Sequence, residues 1–281
     1  MILVTGASGQ LGRLVIENLL NTTPAKQIVA AVRSPEKVAD LAEKGIQVRQ
    51  ADYNDLDSLI AAMQGVEKVL LISSSEVGQR TAQHSNVIKA AKQTGVQLIA
   101  YTSILKADTS PLILAKEHVE TEKLLADSGV PYVLLRNSWY SENYTMSVAA
   151  TIEHGQVGCA GDGKLATASR ADYAAAAAAV LVKDGQAGKV YELAGDNAFT
   201  LSEYAAAVSK VAGKDVAYHN VPEEEFTKIL VSVGLPEGFA AILADSEIGA
   251  SKGALFSDSK DLSTLIGRPT TSIEDSIKAA L

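Results

Sequence analysis

A chain of 281 residues that is 47% apolar and 21% charged can build a sizeable core, as one large domain or as one domain with a smaller companion. Its net charge of −8, with no basic block anywhere, argues against a nucleic-acid partner, which would call for a basic stripe. One cysteine, Cys159, excludes an internal disulfide framework and suits a reducing compartment, while the longest apolar run, 174–182, is too short for a bilayer span.

In chain order, Ile2-Leu3-Val4 is a short buried strand that runs into Thr5-Gly6-Ala7-Ser8-Gly9-Gln10-Leu11-Gly12. Leu11, Leu14, Val15, Asn18 and Leu19 follow at helical spacing, so the glycines lie on a strand-to-helix turn. That context makes them a dinucleotide fingerprint. Gly6 allows the tight turn, Gly9 lets a pyrophosphate approach the backbone, and Gly12 lets the helix pack close to the sheet with its N-terminus aimed at the phosphates. The spacing is G-x-x-G-x-x-G rather than the G-x-G-x-x-G of typical dehydrogenases. With the first strand at residue 2, no cleavable targeting segment is expected, and the expected location is cytoplasmic.

Strands are expected at 27–32, 46–48, 66–72, 96–101 and 130–135, and helices at 36–44, 55–63, 77–94 and 114–128. The alternation predicts an α/β fold, a Rossmann-type doubly wound parallel sheet whose ligands bind at the carboxyl ends of the strands. After about residue 140 it weakens into a helix at 170–182, a strand at 189–193 and helices at 201–211 and 223–233. The expected division is a dinucleotide-binding domain at 1–150, which also receives the 189–193 strand, and a smaller, mostly helical, substrate-covering lobe at 151–281.

The second strand ends Ala30-Ala31-Val32-Arg33, without the carboxylate that holds a ribose diol in NAD enzymes. Arg33 can instead make charge-assisted bonds to a 2′-phosphate, which points to NADP(H). Ser73, Ser74 and Ser75 follow the fourth strand; three small hydroxyl residues let the backbone come close to the pyrophosphate and nicotinamide ribose. Asp52 either approaches the adenine or caps the following helix. The cluster Arg136-Asn137-Ser138-Trp139-Tyr140-Ser141-Glu142-Asn143-Tyr144 follows the sixth strand and is expected at the nicotinamide edge. There Asn137 would offer an amide to the acceptor or the carboxamide, and Trp139 and Tyr140 a flat wall for a planar ring.

No tyrosine has a lysine four positions later, so the Tyr-x-x-x-Lys pair that protonates an alkoxide in short-chain dehydrogenases is missing. Either the chain binds its nucleotide without chemistry, or the acceptor hardly needs a proton donor, as holds for quinones and cationic dyes. His118 is the one candidate donor on the helix after the fifth strand. His84, His118, His154 and His219 lack metal-ligand spacing, and no metal is expected.

The glycine turn, Arg33, Gln50-Ala51-Asp52-Tyr53, the segment LISSSEVGQR at 71–80, Ala100-Tyr101-Thr102-Ser103, LLRNSWYSEN at 134–143 and Ser169-Arg170-Ala171-Asp172-Tyr173-Ala174 together resemble the NmrA-like branch of atypical short-chain dehydrogenases. The resemblance runs nearly end to end, including IGASKG at 248–253. It implies a two-domain α/β protein that uses NADPH without flavin to reduce a small-molecule quinone, as a monomer or homodimer. It also implies cofactor contacts at Gly6 to Leu11, Arg33, Ser73 to Ser75, Asn137 to Glu142 and Arg170, with Asn137 beside the quinone. The same branch holds reductases of triphenylmethane dyes and non-catalytic NADP(H) sensors that regulate a partner protein. These are the alternatives.

Overall fold

A computed structural model describes residues 1–281. Its strands are β1 Ile2–Val4, β2 Ile28–Val32, β3 Gln47–Gln50, β4 Lys68–Leu71, β5 Leu98–Ile104, β6 Tyr132–Asn137, β7 Gln156–Gly158, β8 Val190–Leu193 and β9 Tyr218–Asn220. Its α-helices are α1 Gln10–Leu20, α2 Ala39–Glu43, α3 Leu56–Ala62, α4 Arg80–Thr94, α5 Ala115–Ser128, α6 Glu142–Thr145 and α7 Val148–His154. They continue with α8 Arg170–Val182, α9 Leu201–Ala212, α10 Glu223–Ser232, α11 Glu237–Ser251, α12 Asp261–Ile266 and α13 Ile273–Ala280. None is long and apolar enough to cross a membrane.

The main sheet has the strand order β3-β2-β1-β4-β5-β6-β8, and every pair from β3 to β6 is parallel. Bonds from Leu134 N–H to the Lys189 carbonyl and from Ser138 N–H to the Leu193 carbonyl advance together along both chains, so β8 also lies parallel to β6. The order reverses at β1, between β2 and β4, which is the topological switch point where open α/β sheets bind ligands. This is the expected doubly wound fold. Buried on both faces, the strands read as near-continuous apolar runs such as Ile28–Val32. One face packs on α3, α4 and α5 through Leu59, Met63, Val87, Ile88, Ala91 and Leu125. On the other, the buried alanines of α8 let it lie close against α1.

By its contacts the chain forms two units interleaved in sequence. The first is 1–104, 117–137 and 170–191, and the second is 105–116, 138–169 and 192–281. Helix α8 therefore belongs to the sheet-bearing unit rather than to the later segment in which a cut at 150 would place it. The second unit holds a small parallel pair, β7 with β9, and most of the remaining helices. Within it, Cys159 is buried beside Ala244 and Phe226. Burial and the nearby Glu247 carboxylate push its thiol up to about 12, which suits a packing residue.

Two strands run further than their sequence suggests. β5 continues past Tyr101 through Thr102-Ser103-Ile104, and β6 past Leu135 through Arg136-Asn137. The polar residues look like strand ends, yet Ser103 and Arg136 are satisfied in place. The Glu122 carboxylate on α5 accepts from Ser103 Oγ at 2.6 Å, from Arg136 Nε at 3.0 Å and from Arg136 Nη2 at 2.7 Å. A bidentate, largely buried pair of this kind lets two charges continue a buried strand. Helix α4, in contrast, starts at Arg80 and not at Val77. Gly78 turns with φ +88°, and the Glu117 carboxylate of α5 accepts from the backbone N–H groups of Gly78 and Arg80, capping α4 from outside its own sequence.

Candidate functional site

A cleft of about 280 Å³ opens at the carboxyl ends of β1, β2, β3 and β4 within the first unit. Its floor is the turn after β1. Gly6 has φ +58°, a backbone conformation that strains other residues, and its carbonyl accepts from the Gly9 N–H at 2.9 Å. Gly12 is buried against the turn, so that a Cβ there would sit 2.5 Å from the Gly6 carbonyl oxygen and 2.8 Å from Ala7 Cα. Helix α1 thus begins hard against the turn. It has Gly9 at its N-cap, no side-chain cap and no acidic residue in its first turn. Its first N–H groups and positive dipole end are left for an anion. Gly6, Ser8 and Gly9 line the cleft directly, while Ala7, Leu11 and Gly12 are buried behind it and shape it from there. Gln10 is exposed as the first residue of α1 and is not part of the lining.

The loop after β4 forms one wall, with Ile72, Ser73, Ser74, Ser75 and Glu76 facing the cleft. It is held by side chains from behind. Thr102 Oγ1 accepts from Ser73 N–H at 2.8 Å, and His84 Nε2 accepts from Ser74 N–H at 2.9 Å. Arg80 Nε donates to the Ser74 carbonyl at 2.6 Å. On the β1 side, the Tyr53 hydroxyl meets Thr5 Oγ1 at 2.5 Å and the Ile72 carbonyl at 2.7 Å, tying three strand ends together. Burial raises the Tyr53 phenol far above its ordinary pKa, so it remains a neutral donor.

Arg33, at the end of β2, also lines the cleft, and its guanidinium lies 3.4 Å from the Glu76 carboxylate. Asp52 also faces the cleft. Its carboxylate accepts from Asn54 N–H at 2.9 Å, whereas Asp55 caps α3, so of the two alternatives for Asp52 the capping one falls three residues later. Sequence reasoning missed Tyr53, Glu76 and Gln83 as cleft residues. Tyr53 and Glu76 stand inside the quoted family segments, which was the available signal; Gln83 is one turn into α4 and carried none.

Asn137 is the last residue of β6, at the same carboxyl edge of the sheet, only 8% exposed and not part of the cleft lining. Its Oδ1 is buried without a hydrogen-bond partner, an arrangement that costs free energy unless a ligand supplies a donor. Arg170 is the first residue of α8 in the same unit and is partly buried. Ser138, Trp139, Tyr140, Ser141 and Glu142 belong to the second unit. There the Ser138 and Ser141 N–H groups bond to the carbonyls of Leu193 and Ala168. Trp139 and Tyr140 are half-buried, and Glu142 opens α6.

His118 is placed differently from expectation. It is 6% exposed on α5, its Nδ1 lies 2.7 Å from the Tyr101 hydroxyl, and it does not line the cleft. Burial, with the Arg80 charge nearby, lowers its pKa to about 3. A neutral imidazole sealed in the core has no acidic proton to give near pH 7, so His118 is no proton donor to a substrate. His84 is held in the same way at about 3. Its Nε2 accepts from Ser74, which leaves Nδ1 to donate to Thr121 Oγ1 at 2.9 Å.

Both histidines make acid destabilising. In the unfolded chain each takes up a proton near 6.5, but in the folded protein not until about 3. Stability is therefore fully present above pH 6.5 and is lost as pH falls through that window, by about 1.4 kcal/mol per pH unit for each histidine. Urea unfolding followed from about pH 7.5 to about pH 5 should show this slope, and His118→Gln should remove about half of it. An unchanged slope in that variant would mean that His118 is already protonated in the folded state.

The NmrA-like family model matches residues 1–275. Quinone oxidoreductase 2 of Escherichia coli (strain K12) is 63% identical over 278 residues, which cover 99% of this chain and 97% of the relative. The crystal structure of the NADPH-dependent quinone oxidoreductase QOR2 from Escherichia coli complexed with NADPH superimposes with a TM-score of 0.97 at 62% identity, covering 99% of both chains. The Citrobacter sp. triphenylmethane reductase complexed with NADP(H) superimposes at 0.96 with 41% identity, covering 100% of both.

Proposed function

This chain belongs to the NmrA-like family, and from that premise we propose that it is an NADPH-dependent quinone oxidoreductase that passes a hydride directly to a quinone without flavin. The observation that carries this is the cleft at the switch point, with the Gly6–Gly9 turn and α1 N-terminus as its floor, Ser73 to Ser75 along one wall and Arg33 lining it beside Glu76. These residues fit the dinucleotide. The turn and helix end would hold its pyrophosphate, and the serine loop its ribose and phosphate edge. Arg33 would hold the 2′-phosphate. The high identity to Quinone oxidoreductase 2 supports the acceptor class.

When bound, NADPH supplies the hydride, and a quinone that accepts it becomes a hydroquinone monoanion whose charge the ring spreads and whose proton water provides. No buried acid is required of the protein, in keeping with the missing Tyr-x-x-x-Lys pair and the sealed, neutral His118. What remains for the chain is alignment. Asn137 is assigned that part: its unpaired Oδ1 can accept from a carboxamide N–H, and its Nδ2 can donate to a quinone oxygen as charge develops there. Tyr53, Thr102, His84 and Arg80 fix the backbone against which the nucleotide rests.

The test is loss of reduced-nicotinamide absorbance with purified protein and a panel of small quinones, comparing NADPH with NADH and including a control without acceptor. Quinone-dependent loss that favours NADPH is expected. Tight NADPH binding with no acceptor-dependent loss would move the assignment to a nucleotide sensor. Asn137→Ala should lower kcat about 10- to 100-fold while leaving the NADPH Kd within about threefold. Normal quinone turnover in that variant would remove Asn137 from the mechanism.

A further inference from the structure

Arg33 does not act on the nucleotide cleft alone. Dinucleotide folds that take NAD(H) place a carboxylate at the end of the second strand, where it accepts from the ribose diol. Here that position is Arg33, yet a carboxylate reaches the same wall from the loop after β4: Glu76 Oε1 lies 3.4 Å from Arg33 Nη1. It is held there. Gln83, itself only 2% exposed, donates from Nε2 to Glu76 Oε2 at 2.9 Å, and Ser74 Oγ accepts from the Glu76 backbone N–H at 3.1 Å. Glu76, Gln83 and Arg33 all line the cleft.

Resting on the assignment of this cleft to NADP(H), we propose that Glu76 is a specificity-determining residue that opposes Arg33 and gives the site a real affinity for NADH. A 2′-phosphate is drawn by the Arg33 guanidinium and repelled by the Glu76 carboxylate a few ångströms away. A free 2′-hydroxyl finds an acceptor in that same carboxylate and little use for the arginine. The Arg33–Glu76 pair is exposed on both sides, at 68% and 45%, so its own attraction is weak and a phosphate displaces it readily. The cleft therefore prefers NADPH through Arg33, but less steeply than the arginine alone would dictate.

The experiment is titration of NADPH and of NADH by nicotinamide fluorescence, on the parent protein and on Glu76→Gln, at low and at high salt. The substitution keeps an acceptor oxygen for Gln83, removes the charge and puts a neutral NH2 where Glu76 Oε1 faced Arg33. It is expected to tighten NADPH about threefold to fivefold and to weaken NADH by a similar factor, with the NADPH effect shrinking at high salt. Unchanged affinities, or a parallel shift for both nucleotides, would overturn the proposal. Failure of the parent protein to bind either nucleotide would instead overturn the cofactor assignment on which it rests.

Discussion

Gly12→Ala is expected to weaken NADPH binding about a hundredfold while leaving most of the fold in place. A methyl group at this position meets the Gly6 carbonyl oxygen at 2.5 Å and Ala7 Cα at 2.8 Å, both backbone atoms with no rotamer by which to yield. Helix α1 must then move away from the turn or the turn must open. Either movement carries the first-turn N–H groups off the position where they face a pyrophosphate. Overpacking of this kind costs about 1–3 kcal/mol of stability, a loss visible by thermal unfolding. Binding should fall about a hundredfold, because anion recognition at a helix end depends on the backbone donors converging. Nicotinamide fluorescence titration measures it directly. Unaltered binding would mean that α1 does not hold the phosphates.

Arg33→Asp should reverse the nucleotide preference. Charge-assisted bonds from a guanidinium to phosphate contribute about 1.5–3 kcal/mol each, so their loss weakens NADPH about a hundredfold. The new carboxylate adds to Glu76 on the same wall, so the 2′-phosphate would face two negative charges where it now faces one of each sign. NADH lacks that phosphate and gains a second acceptor for its ribose diol. The ratio of kcat/KM for NADPH to that for NADH reports the switch. An unchanged ratio would remove Arg33 from 2′-phosphate recognition and leave the preference to another group. Both substitutions lie in the first unit, and their readouts separate: Gly12→Ala depresses both nucleotides, whereas Arg33→Asp divides them.

The parts of this site that could be read directly are those built from neighbours in sequence. The turn from Gly6 to Gly12 needs only its own backbone and the strand and helix that flank it, so the glycine spacing reports it faithfully. Arg33 and Ser73 to Ser75 follow from strand order, since each stands just past a strand whose carboxyl end must face the ligand. Where polar residues were read as strand ends the spans came out short. Arg136 and Asn137 belong to β6 because Glu122, 14 residues earlier on α5, satisfies Arg136 in the buried layer. His118 looked like a donor because one imidazole on the right helix is all that sequence offers; its direction into the core, toward Tyr101, is a property of packing.

Legible in the sequence alone were the parallel α/β fold, the glycine turn after the first strand, the arginine at the end of the second, and the absence of a Tyr-x-x-x-Lys pair. Periodicity, glycine spacing and residue type all act over a few neighbouring positions, and those features need nothing more. Only the tertiary structure decided that Glu76 faces Arg33 across 43 residues of sequence, and that His84 holds the serine loop from behind. It also decided that His118 is sealed away and that Asn137 keeps an unpaired amide oxygen. Charge pairing, burial and satisfaction of polar atoms depend on which distant segments the sheet order brings together, and that is a property of the packed chain rather than of any stretch within it.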